Sequence, residues 1–238
     1  MPVVESARPK GTWYRFAGWL VRNLFFRNMG GLTVTGRENV PSTGPVLITS
    51  VHLSHLDPPL LGSVCPRQLR FMAKEELFKN PLLSALIRSL GAFPIRRGES
   101  DRAAIKLTLQ WLEDNGTVLM FPEGQRGDGT TMGVFQSGAA MLAKRSGATV
   151  VPVGICGTHK ILPRGGKGVR RAPVTVVFGR PFTYKETAVL DDDKQDRAAF
   201  NMELERRILL ACADAGLTLR TADGELDQTT SHPIRTLS

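Results

Sequence analysis

The chain has 238 residues, of which 42% are hydrophobic and 22% charged, and this composition excludes intrinsic disorder and collagen-like structure. Lysine and arginine outnumber aspartate and glutamate by 31 to 22, for a net charge of +9, which indicates an anionic partner. Because only 7% of residues are aromatic and no RNA-binding or zinc-finger spacing occurs, a lipid surface or a phosphorylated metabolite is favoured over nucleic acid.

The first predicted element is an amphipathic helix at residues 12–28. Its most apolar stretch, residues 13–26, is interrupted by Arg15 and Arg22, so neither a membrane-spanning helix nor a signal peptide is predicted. On a helical wheel the two arginines lie opposite an apolar face. That face consists of Trp13, Phe16, Ala17, Leu20, Val21, Leu24 and Phe25. Such a helix suits an anionic membrane surface, and packing against the protein core is the alternative.

Short β-branched and apolar runs follow at intervals and are predicted to be strands. They are Leu32 to Thr35, Val46 to Thr49, Leu69 to Met72, Thr117 to Phe121, Thr149 to Val153 and Val174 to Phe178. Helices are predicted between and after them at residues 102–115, 136–146 and 193–213. This alternation predicts an α/β fold with a mixed, largely parallel sheet covered by helices.

The chain is divided into an N-terminal membrane-associating segment (residues 1–30), one main domain (residues 31–217) and a polar C-terminal tail (residues 218–238). The sequence after Gly216 is polar and is expected to fray. The three cysteines are odd in number, widely separated and outside any Cys-x-x-Cys pair. A reducing compartment is therefore favoured over a disulfide framework or a zinc knuckle.

The first chemical motif lies between a predicted strand and a helix and contains His52, His55 and Asp57. One interpretation of Asp57 followed by Pro58 is a helix N-cap. Alternatively, the Asp57 carboxylate holds an imidazole in one tautomer and stabilises its protonated form, as a histidine general base requires. The spacing alone does not choose between the two histidines.

Two further motifs follow apolar runs, at residues 91–97 and 121–127. The first ends in two consecutive arginines, whose guanidinium groups can bind phosphate through two parallel hydrogen bonds. The second places Glu123 and Arg126 beside glycines that permit tight turns. Solvated surface arginines and a plain turn with a surface ion pair are the alternatives.

The chain as a whole resembles the glycerolipid acyltransferases, the family that includes 1-acylglycerol-3-phosphate acyltransferase. The four blocks that carry the resemblance are His52-x4-Asp57, Gly91-x-Phe93-Pro94-Ile95-x-Arg97, Phe121-Pro122-Glu123-Gly124-x-Arg126 and Val151-Pro152-Val153. It spans roughly Val34 to Pro181, so residues 31–217 are interpreted as an acyltransferase domain. The chain departs from the commonest pattern at Val51, Arg96 and Gln125, and Arg96 changes the local charge near the acceptor headgroup.

The resemblance also implies roles for individual residues. His52 would be the general base and Asp57 the group that orients it. The implied substrate-binding residues are Lys74, Arg97, Glu123, Gly124 and Arg126. Among these, Arg97 and Arg126 would bind the acceptor phosphate, whereas Glu123 and Gly124 would shape the glycerol site.

The reaction implied is transfer of a fatty acyl chain from acyl-CoA or acyl carrier protein to lysophosphatidic acid, giving phosphatidic acid for phospholipid synthesis. The resemblance implies no metal and no organic cofactor. Alternative acceptors are glycerol 3-phosphate and other lysophospholipids, and the alternative class is a non-catalytic lipid-surface binding protein. A serine hydrolase is disfavoured because Gly-x-Ser-x-Gly is absent. The expected location is peripheral, at the cytoplasmic face of the cell membrane, on an anionic lipid surface and without nucleic acid.

Overall fold

The computed structural model describes residues 11–95, 101–166, 168–188 and 192–221, without the side chains of residues 74, 95 and 101–104. Its strands are Leu32–Thr35 (β1), Val46–Ser50 (β2), Leu69–Lys74 (β3), Ala92–Ile95 (β4), Thr117–Met120 (β5), Thr149–Cys156 (β6) and Val174–Phe178 (β7). Its α-helices are Gly11–Leu20 (α1), Asp57–Val64 (α2), Pro81–Ser89 (α3), Asp101–Glu113 (α4), Gly138–Ser146 (α5), Thr158–Ile161 (α6), Tyr184–Thr187 (α7) and Asp193–Asp214 (α8). A π-helical segment, Val21–Phe26, continues α1, and 3₁₀ turns occupy Arg37–Asn39 and Glu75–Phe78.

The seven strands form one sheet in the order β1-β7-β6-β2-β5-β3-β4. β7 runs antiparallel to β6, and the other neighbouring strands are parallel. The predicted α/β class with a mixed, largely parallel sheet is confirmed. β4 was not among the predicted strands. It is four residues long and contains Pro94, which lacks a backbone N–H and is tolerated here because β4 lies at the edge of the sheet.

The centre of the sheet is covered by helices on both faces. All five residues of β2 are buried. Val46 and Ile48 belong to a core shared with α1, α2 and α3, whereas Leu47 belongs to a second core shared with α4, α5 and α8. This explains why β2 is apolar at successive positions, as is typical of a parallel strand buried on both faces.

The N-terminal helix is attached to the domain through polar contacts. The Tyr14 hydroxyl donates to the Gly62 carbonyl (2.5 Å) and accepts from the Leu69 amide (3.0 Å), and burial raises the pKa of Tyr14. The Arg22 guanidinium donates to the carbonyl of Ser63 in α2. Arg22, which was predicted to lie with Arg15 on the side opposite the apolar face, therefore contacts the domain.

The predicted apolar face of this helix is divided in two. Ala17 and Val21 are buried, whereas Trp13, Phe16 and Leu24 are at least half exposed. A helical wheel assumes one buried face, but here α2 and α3 cover only part of the apolar surface. Within the described residues no helix combines the length and the apolar character needed to cross a membrane.

Residues 215–221, which follow α8, are folded onto the domain. Leu217 and Leu219 are buried. The Arg220 amide donates to the Thr130 carbonyl, and the Arg220 carbonyl accepts from the Met132 amide, each over 2.9 Å. The expected fraying is therefore wrong for residues 217–221, because the two leucines are needed in the core. Residues 222–238 of the predicted tail, and residues 1–10, lie outside the described residues.

Candidate active site

Three neighbouring parallel strands, β6, β2 and β5, end at the same edge of the sheet. His52 comes just after β2, Glu123 after β5 and Thr158 after β6. Loops that follow the carboxyl ends of parallel strands are the usual place for a ligand site in open α/β sheets. The topology therefore brings together polar residues that are up to 106 positions apart, as from His52 to Thr158.

His52 and Asp57 form a hydrogen-bonded pair at this edge. His52 Nδ1 lies 3.0 Å from Asp57 Oδ2, and the two side chains are 18% and 0% exposed. With its proton on Nδ1, the imidazole donates to the carboxylate and leaves Nε2 to accept a proton from a substrate. The ring also stacks on Phe121, with centroids 4.1 Å apart and an angle of 18° between the planes. The imidazole is thereby held in one orientation.

The buried Asp57 carboxylate accepts hydrogen bonds on both oxygens. Oδ2 also accepts from the amides of Leu53 and Ser54, each at 2.7 Å. Oδ1 accepts from the Thr158 hydroxyl at 2.6 Å. Four donors in all compensate the cost of burying this charge. Leu56 occupies the N-cap position of α2, so the interpretation of Asp57 as purely a helix cap does not hold.

The structure distinguishes the two histidines of the motif by their surroundings. His52 is paired with Asp57, whereas the His55 side chain is exposed. The geometry thus pairs Asp57 with His52, and the role of His52 as the general base, which the family resemblance implied, stays a prediction. Among the described residues, no three His, Cys, Asp or Glu side chains are arranged to hold a metal ion.

Glu123 is buried beside the main chain of His52, with 5% of its surface exposed. Its Oε1 accepts from the His52 amide at 3.2 Å, and its Oε2 accepts from the Gly133 amide at 2.9 Å. Burial raises the pKa of Glu123, and these hydrogen bonds oppose that rise. Glu123 therefore fixes the main chain of His52, and its role in shaping a glycerol site stays a prediction. Gly124 makes the next turn with a φ of 68°, a left-handed conformation that favours glycine.

The loop that carries Arg126 touches the main chain of His52. The amide of Gly127 donates to the His52 carbonyl at 2.7 Å. The guanidinium of Arg164 donates to the carbonyl of Arg126 at 2.6 Å. Two arginines therefore lie in adjoining loops beside the His52 segment.

Two of these contacts were missed by the sequence reasoning, namely those made by Thr158 and Arg164. The available signal was their position after the predicted strand at residues 149–153, where polar side chains reach the same sheet edge as the histidine motif. Neither residue belongs to one of the four recognised blocks.

Lys74 and Arg97 follow the two strands at the far side of this edge. Lys74 is the last residue of β3 and pairs in register with Ile95, the last residue of β4. The Lys74 side chain and residues 96–100, which include Arg97, lie outside what the structure describes. Their contact with phosphate stays a prediction.

Comparison with known proteins gives one family. The sequence profile of the acyltransferase family matches residues 31–156. The chain is 30% identical over 177 residues to a chloroplast 1-acyl-sn-glycerol-3-phosphate acyltransferase of Arabidopsis thaliana, a match that covers 73% of this chain and 49% of that relative. It is 30% identical over 182 residues to the 1-acyl-sn-glycerol-3-phosphate acyltransferase of Bacillus subtilis, with 75% and 87% covered. The chain thus spans about half the length of the Arabidopsis relative and most of the Bacillus one.

The fold is also similar to a solved structure. A 1-acyl-sn-glycerophosphate acyltransferase from Thermotoga maritima superimposes with a TM-score of 0.69 and 23% identity, over 85% of this chain and 78% of that one. At this level of identity the similarity concerns the architecture, namely a mixed sheet between layers of helices.

Proposed function

Because the chain belongs to the acyltransferase family, we propose that it transfers a fatty acyl chain from an acyl thioester to the free hydroxyl of lysophosphatidic acid. The product is phosphatidic acid. The observation that carries this proposal is the His52–Asp57 pair, held at the carboxyl edge of the sheet with Nε2 of the imidazole available. The names of the Arabidopsis and Bacillus relatives support lysophosphatidic acid as the acceptor.

His52 acts as the general base in this reaction. Nε2 takes the proton from the acceptor hydroxyl while the hydroxyl oxygen attacks the thioester carbonyl carbon. Asp57 stabilises the imidazolium that forms. As the tetrahedral intermediate collapses, the carbon–sulfur bond breaks and the imidazolium returns the proton to the leaving thiolate. No acyl-enzyme is needed, because a thioester is already activated.

The acceptor phosphate is held by basic side chains at the same sheet edge. We assign this contact to Arg97 and Arg126, with Lys74 as a further candidate. Arg164 adds a guanidinium to the Arg126 loop, since it donates to the Arg126 carbonyl. Binding of the phosphate holds the acceptor hydroxyl in line with the thioester carbonyl. Such positioning lowers the entropic cost of bringing two reactants together.

The protein works at the cytoplasmic face of the cell membrane, attached peripherally. Its acceptor is an amphiphile, and the exposed aromatic side chains of α1 are suited to a lipid surface. The three cysteines are free, which fits a reducing compartment.

An acceptor panel with the purified protein tests the proposal. Thiol release from long-chain acyl-CoA and from acyl carrier protein is measured with lysophosphatidic acid, glycerol 3-phosphate, another lysophospholipid and a monoacylglycerol, and the lipid products are weighed by mass spectrometry. We expect release that depends on lysophosphatidic acid and persists in a chelator. If no acceptor stimulates thiol release from either donor, the protein is a lipid-surface binding protein instead.

A further inference from the structure

α1, its π-helical continuation and α3 carry most of the large apolar side chains that the described chain exposes. Nine such side chains are exposed in residues 11–95, 101–166, 168–188 and 192–221, and six of them belong to these elements. The six are Trp13, Phe16, Trp19, Leu24, Leu82 and Leu83. α1 packs against α3, so the two elements that carry these side chains adjoin although they are distant in sequence.

The aromatic side chains of α1 form a row along the helix. The rings of Trp13 and Phe16 are 5.5 Å apart, and those of Phe16 and Trp19 are 6.3 Å apart. On the other side, Tyr14 and Arg22 are hydrogen-bonded to the main chain of α2. The row is therefore fixed to the domain while its rings remain about half exposed, and contiguous exposed apolar surface of this kind marks an interaction site.

The first turn of α3 is a second apolar projection. Leu82 is 83% exposed and Leu83 39% exposed, whereas Ile87 later in the same helix is buried. Asn80 fixes this turn, because its side chain accepts a hydrogen bond from the Leu83 amide at 3.1 Å. The turn begins only seven residues after Lys74, the carboxyl end of β3. It therefore lies close to the sheet edge that holds the candidate active site.

The charge around both projections is net basic. Residues 11–37 contain four arginines and no acidic residue. Residues 74–98 contain two lysines and three arginines, against the exposed Glu75 and Glu76 of the 3₁₀ turn that precedes α3. Exposed apolar side chains framed by cations match an anionic bilayer, into which rings and leucines can sink while the cations meet headgroups.

We propose that α1 and the first turn of α3 form one lipid face that rests on an anionic bilayer. This inference rests on the proposed function for its purpose, since the acceptor lipid resides in that bilayer. Two attachment points fix the orientation of the protein, whereas a single helix would leave it free to tilt. Because Leu82 and Leu83 lie near the carboxyl end of β3, the lipid face brings the edge with His52 toward the headgroups.

Vesicle flotation of the full chain tests the contribution of α3. The variant is Leu82→Glu with Leu83→Glu, and the matched control is Met202→Glu, since Met202 is 72% exposed but lies on α8. The vesicles are phosphatidylcholine with and without phosphatidylglycerol, and no substrate is present. We expect the leucine variant to lose about tenfold or more in partitioning onto anionic vesicles. We expect the control to partition like the parent.

Equal partitioning of the leucine variant and the parent, or equal losses in the variant and the control, would overturn the proposal. Association of the parent into a dimer that the leucine variant abolishes, with vesicle binding unchanged, would overturn it in favour of contact with a second copy.

Measurements of turnover distinguish a failure of the lipid face from a failure of the proposed function. The variant should lose more activity on vesicle-borne acceptor than on short-chain, dispersed acceptor. Lost partitioning with no turnover of any acceptor by the parent would support the lipid face and refute the acyltransferase.

Discussion

The hydrogen bonds around Asp57 come from parts of the chain that are far apart in sequence. The imidazole and two amides belong to residues 52–54, and the hydroxyl belongs to Thr158. Glu123 holds the same loop through the amide of His52. The His52–Asp57 pair is therefore held in place by residues that follow β5 and β6.

Replacing His52 by alanine should reduce turnover by about 100 to 10,000-fold, the usual loss when a general base is removed. His55→Ala should retain most of the activity, because that side chain is exposed and Asp57 is paired with His52. Acceptor-dependent thiol release measures the turnover of both variants. Equal losses in the two variants would refute the assignment of the base.

Thr158 is predicted to position Asp57 and, through it, His52. Thr158→Val keeps the shape but removes a hydrogen bond to a charged group, which contributes about 1.5 to 3 kcal/mol. We expect kcat to fall by roughly tenfold or more with KM unchanged, whereas Thr158→Ser retains the hydroxyl and should approach the parent.

Rescue by the conservative variant distinguishes this role from a merely structural one. Thr158→Ser restores the hydroxyl that donates to Asp57 but lacks the methyl group, whereas Thr158→Val keeps the methyl group and lacks the donor. Turnover that is kept in Thr158→Val and lost in Thr158→Ser would show that Thr158 acts only in packing.

Arg97 is predicted to bind the acceptor phosphate through two parallel hydrogen bonds. Arg97→Lys keeps the charge but loses the planar fork, and Arg97→Ala loses both, so activity should fall in that order. The alanine variant should lose on the order of 10 to 100-fold in kcat/KM with lysophosphatidic acid. The measurement is the rate ratio between lysophosphatidic acid and a monoacylglycerol. If the rate ratio is unchanged in Arg97→Ala, the acceptor phosphate is bound by another cation, and Lys74, Arg126 and Arg164 are the next residues to test.

At the scale of elements, β6 and α8 approach so closely that only glycine fits between them. A Cβ atom at Gly154 would lie 2.0 Å from the carbonyl oxygen of Ala211. Gly154→Ala should therefore destabilise the fold by about 3 kcal/mol, lowering Tm by roughly 6 to 12 °C. Gly11→Ala is the control, because a Cβ there meets no atom within 4 Å. Thermal unfolding of both variants checks the contrast, and similar Tm values would contradict it.

The predicted strands and long helices were found in the structure because their apolar runs are continuous or periodic. The helices predicted at residues 136–146 and 193–213 are α5 and α8, with ends shifted by no more than two residues. β4 was not predicted, since four residues with a proline give a weak strand pattern. The inward hydrogen bond of Arg22 could not be predicted either, because it depends on where α2 places the Ser63 carbonyl.

The candidate site likewise contains features that the sequence predicted and contacts that it did not. The pairing of His52 with Asp57 was predicted from the family resemblance, because the spacing alone did not choose between His52 and His55. Thr158 required knowledge of strand order, because β6 is adjacent to β2 in the sheet although about a hundred residues of chain separate them. The position of Glu123 was predicted, but its hydrogen bonds to the main chain of His52 and Gly133 were not.

At the scale of the whole molecule, the sheet joins strands that are far apart in the chain. β1 pairs with β7, so that Leu32 lies beside Val174, and the central strand β2 pairs with β5 and β6. Contacts between residues so distant in sequence close large loops, which slows folding relative to a fold with local contacts.

This strand order also determines when the domain can fold during synthesis on the ribosome. α1, α2 and α3 all lie within residues 11–89, but the core that they cover also contains Leu119 of β5, Val153 of β6 and Val176 of β7. β1 finds its partner only when β7 has been made. Because a domain generally folds as a unit, we expect the proposed lipid face and the loop around His52 to form together, once β7 has left the ribosome.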